Sequence, residues 1–131
     1  MKTALLGIDV GTSACKVAAF DLEGHVLAQA AESYPVLYPQ PGWAECDANL
    51  WLKALKHILH EIKETGHITA DDIGTVAFAC IDASIVPVDE NCDPIDNCII
   101  WMDSRTGDQA ARLQKAISEQ EALEITGSPI T

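Results

Sequence analysis

The sequence predicts an α/β domain in which helices pack on a mixed β-sheet, and three observations support that fold class. The segment 4–30 alternates short apolar runs with Asx- and Gly-containing turns, which is typical of an antiparallel meander. A stretch with helical periodicity follows it. After that stretch comes a short, almost wholly apolar run of the kind found in buried parallel strands. Strands before and after a helix in this order favour a sheet with both parallel and antiparallel neighbours.

The amino-terminal half divides into three strands, a loop and a helix. Strands are predicted over 4–9, 16–21 and 25–30, and the three prolines of 34–42 predict a loop. A helix is predicted over 48–65. Asp47 caps its start, Gly66 takes the C′ position, and the buried stripe consists of Trp51, Leu55, Ile58 and Ile62.

The carboxy-terminal half begins with a central strand over 75–80, which we expect to be parallel to an earlier strand. Two more strands, 85–88 and 98–102, flank the turn 89–92, in which Asn91 is the expected left-handed residue.

Two helices close the predicted sequence of elements. The first covers 105–116 and turns Ala110, Leu113 and Ile117 inward. Ser118 and Glu121 have capping-box spacing and open a short last helix that Gly127 ends.

Length and composition narrow the function classes. The 131 residues fit one domain, and 48% hydrophobic with 21% charged residues is usual for a globular protein. The longest apolar runs are too short to span a membrane, and Gly7 and Asp9 come too early for the core of a signal peptide. We therefore expect a cytoplasmic protein. The net charge of −12 disfavours nucleic acid and membrane as partners, although it leaves room for a nucleotide held by backbone N–H groups and a cation.

The chain offers little for a structural metal site. Its five cysteines include no C-x-x-C pair, so free thiols in a reducing compartment are expected, with Cys15 as a small packing residue. His57, His60 and Glu61 have a spacing that a metal could use, but they share their helix with three lysines. A solvated helix face is the better interpretation.

The decapeptide GIDVGTSACK has the residues of a phosphate-binding loop. Gly11 allows a close approach of the backbone, Thr12 and Ser13 add hydroxyl donors, and Lys16 supplies positive charge. Asp9, at the carboxyl end of a strand, is placed to hold Mg²⁺ directly or through water. The loop lacks the P-loop pattern, and an ordinary hairpin turn with local hydrogen bonds remains an equal alternative on these residues alone.

Four stretches together resemble the FGGY carbohydrate kinases. GIDVGTSACKVAAFDLEGHVLAQA resembles the first phosphate motif of the sugar-kinase, actin and heat-shock-ATPase superfamily. YPQPGWAECDANLW, VAFACIDASIVPVDENCDPI and IIWMDSRT resemble, in this order, later segments of the FGGY kinases. The resemblance covers nearly the whole chain and implies a ribonuclease-H-like (actin-like ATPase) sheet with flanking helices, which is incomplete here. Residues 1–131 would be part of the amino-terminal domain, without the carboxy-terminal lobe.

The resemblance implies ATP and Mg²⁺ as cofactors and a sugar or polyol, most readily a xylulose-like ketose, as the phosphoryl acceptor. Asp9 would serve the metal, and Gly11, Thr12, Ser13 and Lys16 would serve the nucleotide phosphates. The sugar would lie against the substrate residues, which are Asp82, Ala83, Trp101 and Asp103. Arg105 would hold the Asp103 loop, unless it forms only a weak surface ion pair, which is equally compatible with the sequence.

The sequence departs from the family at two points. Cys80-Ile81-Asp82-Ala83 matches neither the xylulose kinase nor the glycerol kinase pattern, so the sugar stays open. Cys92 stands where the family usually has glycine. The family's aspartate base and adenosine pocket would lie beyond residue 131, so we expect no activity from this chain alone and self-association through its exposed apolar surface. An actin- or chaperone-type ATPase module and a non-catalytic binding module are the remaining alternatives.

Overall fold

The protein is described by a computed structural model that covers residues 3–65 and 67–130. Its elements in chain order are β1 (Ala4–Val10), β2 (Ala14–Phe20), β3 (Val26–Ser33), β4 (Glu45–Cys46), α1 (Ala48–Glu64), β5 (Ile73–Cys80), β6 (Cys98–Ile99), α2 (Gly107–Ala116) and α3 (Glu119–Thr126). A 3₁₀ turn, Ala70–Asp72, leads into β5. In the described part of the chain, no helix has the length and apolar character to cross a membrane. The predicted mixed sheet with flanking helices is confirmed.

The main sheet has the strand order β3-β2-β1-β5. The meander of β1, β2 and β3 is antiparallel, and β5 runs parallel to β1, both as predicted. One prediction is wrong, because β5 is an edge strand of the described sheet instead of a central one. Its apolar composition reflects surface that no described element covers.

The core lies between one face of this sheet and α1, which packs across β2 and β3. Leu6 and Val17 point from the sheet towards this core, and Ile58 and Ile62 point into it from the helix. The predicted cap is confirmed, since the Asp47 side chain accepts a hydrogen bond from the Asn49 N–H at 2.9 Å. The predicted stripe is partly wrong. Ala54 is buried, whereas Trp51 and Leu55 pack only at the margin of the core. The predicted cap residue Gly66 lies outside the described residues.

A second, two-stranded sheet pairs β4 with β6. The strand predicted over 98–102 is reduced to β6, and the one over 85–88 is reduced to isolated bridges. β4 was not predicted, because two residues are too short to show a period-2 pattern. This small sheet brings the segment after β3 against the segment that precedes α2.

The two last helices follow their local signals more closely than their predicted packing. α2 begins at Gly107 instead of residue 105, and Ala110 is buried as predicted, but Leu113 is exposed. The capping box of α3 is confirmed, with Ser118 and Glu121 bonded reciprocally, and the helix ends at Gly127 with a φ of 76°.

The turn that the bridge between Val88 and Pro94 closes corrects a further prediction. Cys92 has a φ of 66° and is the left-handed residue there, instead of Asn91. Asp89 closes the turn by accepting hydrogen bonds from the N–H groups of Asn91 and Asp93. These bonds hold the turn in a shape that places Cys92 in the left-handed position.

Candidate functional site

The loop between β1 and β2 is a tight turn closed by its own backbone. The N–H of Gly11 donates to the carbonyl oxygen of Ala14 at 2.9 Å. A Cβ atom on Gly11 would lie only 3.1 Å from that same oxygen, which is closer than side chains normally come to backbone. The glycine therefore serves a close approach of two backbone segments, and its own φ is not in the left-handed region.

Tyr34 anchors this loop from the end of β3. Its hydroxyl donates to the carbonyl oxygen of Gly11 at 2.6 Å, and its backbone N–H donates to the Ser13 oxygen at 3.0 Å. The ring is buried, and burial, followed by the nearby Cys15, Cys46 and Asp9, raises the pKa of Tyr34 to about 12. Tyr34 is thus a neutral donor at physiological pH. Sequence reasoning placed it only in a proline-containing loop, and no local pattern links it to Gly11.

Asp9 and Lys16 face each other across β1 and β2 beside this loop. They are register partners, with 3.6 Å between a carboxylate oxygen of Asp9 and the ammonium nitrogen of Lys16. Both side chains are about half exposed or more, so the pair contributes little to stability and both charges are accessible to a ligand. Within residues 3–65 and 67–130, no three His, Cys, Asp or Glu side chains converge as a metal cage.

The chain leaving β5 runs beside the end of β1. Because the two strands are parallel, Val10 pairs with Cys80, and the N–H of Ile81 donates to the Val10 oxygen at 2.9 Å. Asp82 and Ala83 therefore follow the same edge of the sheet at which the β1–β2 loop begins. Both are exposed, and the Asp82 carboxylate accepts a hydrogen bond from the Ala83 N–H at 2.7 Å.

Ala83 has a φ of 47°, a left-handed conformation that an L-residue with a side chain seldom adopts. Such conformations occur often at functional sites, where the surrounding structure imposes them. The position supplies no polar atom from its side chain, so any role at a ligand depends on its shape.

Trp101 connects the β1–β2 loop, which is the predicted phosphate site, with the predicted sugar segment. Its indole N–H donates to the hydroxyl oxygen of Thr12 at 3.1 Å, and 58% of the residue is exposed. The exposed ring provides a flat apolar surface beside the loop. Two segments that lie 89 residues apart in sequence thus meet at one hydrogen bond.

The Asp103 side chain is buried and forms its hydrogen bonds within the protein. Only 2% of its side chain is exposed, and one carboxylate oxygen accepts a hydrogen bond from the Ala44 N–H at 2.7 Å. Arg105 binds both carboxylate oxygens through its side chain, and these bonds hold the pKa of the Asp103 carboxyl well below its usual range. This geometry favours a positioning role for Asp103 over the direct sugar contact that the resemblance implies, which stays a prediction.

Arg105 is the centre of a buried network. Besides Asp103, it contacts Glu45 at 2.6 Å, and its guanidinium lies 3.7 Å from the centre of the Trp43 ring. Glu45 also accepts a hydrogen bond from Asn97 at 3.0 Å. The network joins the Trp43 loop, β4 and the segment after β6, so of the two alternatives for Arg105 the structure favours the one in which it holds this loop.

Two of the residues considered for other chemistry, His57 and Cys15, have structural roles. His57 on α1 contacts Glu32 of β3 at 2.5 Å, which ties the helix to the sheet. Cys15 is fully buried, and burial is the main cause that raises the pKa of its thiol. A buried thiol with a raised pKa is a poor nucleophile, as expected of a packing residue.

Comparison with known proteins gives consistent matches along the chain. Residues 4–131 match the family model described as the FGGY family of carbohydrate kinases, N-terminal domain. A xylulose kinase of Staphylococcus xylosus is 29% identical over 130 residues, covering 96% of this chain and 26% of that protein. A gluconokinase of Bacillus subtilis is also 29% identical over 130 residues, covering 99% of this chain and 25% of that protein.

A solved structure agrees with these matches. The crystal structure of xylulose kinase from Rhodospirillum rubrum superposes with a TM-score of 0.89 at 27% identity, over 98% of this chain and 26% of that one. The chain spans about a quarter of the length of these relatives. The family match covers nearly every residue, and the chain belongs to the FGGY family of carbohydrate kinases as an N-terminal domain sequence.

Proposed function

We propose that this chain forms one wall of the cleft of an ATP-dependent carbohydrate kinase, which transfers the γ-phosphoryl group of ATP to a hydroxyl of a sugar or polyol. The observation that carries the proposal is the 3.1 Å hydrogen bond between Trp101 and Thr12. It puts a flat apolar ring next to a loop rich in hydrogen-bond donors. A kinase needs such neighbouring surfaces, because phosphoryl transfer depends on holding acceptor and donor side by side.

The loop suits the phosphate end of a nucleotide. Gly11 keeps the turn free of side-chain bulk, Thr12 and Ser13 offer hydroxyl groups, and Lys16 offers an exposed positive charge. Backbone N–H groups in such a turn form a concave surface that attracts anions. Donors and charge fixed before the ligand arrives stabilise the negative charge of the transferring phosphoryl group.

Asp9 fits the role of a magnesium ligand. Mg²⁺ in phosphoryl-transfer sites uses one or two carboxylates and takes its other ligands from water and phosphate. A single, half-exposed carboxylate at the end of β1 beside the loop matches that requirement. The ion would neutralise phosphate charge there, and Lys16, which lies 3.6 Å from the carboxylate, would lean towards the phosphates.

The sugar end would use the exposed Trp101 ring as a wall for the C–H face of the substrate. Asp82 has an exposed carboxylate that accepts one hydrogen bond from the Ala83 N–H and can accept hydroxyl protons as well, and Ala83 leaves space beside it. Asp103 would act indirectly, by holding the segment that carries Trp101. The kinases named in the comparisons act on different substrates, so we propose the class of sugar or polyol, with a xylulose-like ketose as the first compound to test.

We propose that residues 1–131 act as the amino-terminal part of a larger kinase. A carboxy-terminal lobe would then supply the general base and the adenosine pocket, and this chain alone would not phosphorylate a sugar. Loss of a general base typically costs a factor of about 10² to 10⁴ in rate. ATP as the donor and the five free thiols favour the cytoplasm as the compartment, and the acidic chain makes nucleic acid or a membrane an unfavourable partner.

Self-association is the second proposal for the isolated chain. The edge strand β5 exposes Val76 and Phe78, and an apolar hollow of about 770 Å³ lies on the sheet face that α1 leaves open. Small residues such as Gly7, Ala18 and Ala77 line it. An unpaired, apolar edge strand without charges pairs readily with another chain.

The kinase proposal is tested with the protein expressed from its complete reading frame. ADP release is measured in a coupled assay with a panel of pentuloses, hexuloses, glycerol and gluconate. We expect saturable, sugar-dependent ADP release that Asp9→Asn abolishes and that Glu23→Gln, a surface change away from the loop, leaves intact. ATP hydrolysis that ignores every sugar would support an ATPase module. Absence of both activities in the complete, folded protein would support a binding module.

A further inference from the structure

We propose that Trp101 is a positioning residue that turns the Thr12 hydroxyl into a hydrogen-bond donor for a nucleotide phosphate and so couples the sugar site to the phosphate loop. This inference rests on the proposed kinase function. It goes beyond the proposed roles of Trp101 as a wall of the sugar site and of Thr12 as part of the loop, because it links the two ligand sites.

The direction of the hydrogen bond follows from the chemistry of the two groups. An indole N–H can only donate, so the Thr12 oxygen is the acceptor at 3.1 Å. The hydroxyl hydrogen of Thr12 must then point away from Trp101. Among the residues that the structure describes, none accepts it. An anionic oxygen beside the loop is the natural acceptor, since hydrogen bonds to charged groups are the stronger ones.

The bond also improves Thr12 as a donor. A hydroxyl that accepts one hydrogen bond becomes polarised and donates a second one more strongly. Without Trp101, the hydroxyl would rotate among its staggered positions, and part of the binding free energy would be lost in fixing it. Trp101 therefore acts on the phosphate through Thr12 and does not touch it.

The backbone around Trp101 is fixed, so its ring is the part that responds to a ligand. The N–H of Asp103 donates to the Ile100 oxygen at 2.9 Å, which closes a tight turn around Trp101. Arg105 holds the far end of that turn through Asp103. The ring itself is 58% exposed. A sugar stacked on it would restrict its rotation and stabilise the bond to Thr12.

Coupling of this kind must be mutual. If the sugar raises the affinity for the nucleotide by some factor, the nucleotide raises the affinity for the sugar by the same factor. One defined hydrogen bond carries the coupling. A substitution can therefore remove the coupling and leave both binding surfaces in place. Trp101→Phe keeps a flat apolar ring and deletes only the indole donor.

The test uses the protein from its complete reading frame and MgADP as the probe, with dissociation constants measured by titration calorimetry. In the absence of sugar, Trp101→Phe should weaken MgADP binding about 2- to 10-fold, the range of one net hydrogen bond. Thr12→Val should weaken it at least as much, and the double variant no more than Thr12→Val alone. Thr12→Ser keeps the hydroxyl, so Trp101→Phe should weaken MgADP binding in this background as it does in the wild type. Trp51→Phe on α1, at the margin of the core and outside the Arg105 network, is the matched control, and its MgADP affinity should equal that of the wild type.

The second part repeats the titrations with the saturating sugar found in the activity screen. Wild-type protein should show tighter MgADP binding with sugar present, and Trp101→Phe should lose that enhancement. Equal MgADP affinity of Trp101→Phe and wild type would overturn the inference, as would additive effects of the two substitutions. Because the first part needs no sugar, it decides the inference even if no sugar is phosphorylated, which would instead refute the proposed function.

Discussion

Replacement of Tyr34 by phenylalanine removes a single oxygen atom from the side chain that anchors the β1–β2 loop. The lost hydroxyl donates to the Gly11 carbonyl at 2.6 Å, and the ring that carries it is buried. Phenylalanine fills the same space, so packing is unchanged and the difference reports the hydrogen bond. Gly11 is partly exposed, which allows water to reach its carbonyl after the substitution.

The magnitude follows from these contacts. A net intramolecular hydrogen bond contributes about 1 kcal/mol, and access of water to Gly11 removes most of the additional penalty for an unsatisfied carbonyl. With 131 residues and an unfolding entropy of about 2.1 cal/mol/K per residue, a loss of about 1 kcal/mol lowers Tm by about 4 °C. Tyr38→Phe is the matched control. Tyr38 is 67% exposed, and its substitution should change stability by less than about 0.5 kcal/mol.

The pH dependence gives a second test of Tyr34, because burial, followed by the nearby Cys15, Cys46 and Asp9, raises the pKa of its hydroxyl. Folding raises the pKa of Tyr34 from 10.0 to about 12, so the folded state holds this proton more tightly than the unfolded state. The contribution of the hydroxyl is therefore complete below pH 10 and is lost as pH rises through 12. Urea unfolding should show the wild type more stable than Tyr34→Phe at pH 8, with the difference shrinking above pH 10 and changing sign before pH 12. Equal stability at pH 8, or a difference independent of pH, would refute the reasoning.

Substitutions at three further positions test other parts of the structure. Cys92→Gly should stabilise the protein by about 1 kcal/mol in urea unfolding, because it removes a side chain from a φ of 66°; unchanged or reduced stability would show that the turn relaxes without strain. Arg105→Met should lower Tm more than Arg105→Lys, since only the lysine keeps a positive charge beside the buried Asp103, and equal effects would count against the network. Phe78→Lys should shift the isolated chain towards monomer in sedimentation velocity, because a charge on the edge strand opposes pairing, whereas an unchanged distribution would place the contact elsewhere.

The sequence predicted those features that depend on neighbouring residues. The meander of β1, β2 and β3 follows from alternating apolar residues and turn signals. The start of α1 follows from Asp47, and the start of α3 from the pair Ser118 and Glu121, because caps act over three residues. The parallel orientation of β5 was also predicted, because an almost wholly apolar run that follows a helix is typical of a strand parallel to an earlier one.

The features that sequence reasoning missed are contacts between distant segments. The Ala44 N–H and the Asp103 carboxylate are 59 residues apart, and Trp101 and Thr12 are 89 apart. No periodic pattern reports such contacts. The burial of Asp103 and the anchoring role of Tyr34 were missed for this reason. The edge position of β5 was missed because an apolar strand has the same composition whether its cover is present or lies elsewhere.

The most direct test of the account is to map where MgATP binds on this chain. Amide chemical shifts of the ¹⁵N-labelled protein, 14.1 kDa in mass, would be followed during a titration with MgATP. The account predicts that the largest shifts occur at Gly11, Thr12 and Ser13, that they saturate, and that Asp9→Asn removes them while the rest of the spectrum is unchanged. Saturating shifts on α2 and α3 with an unaffected loop would contradict the assignment of this turn to the nucleotide phosphates.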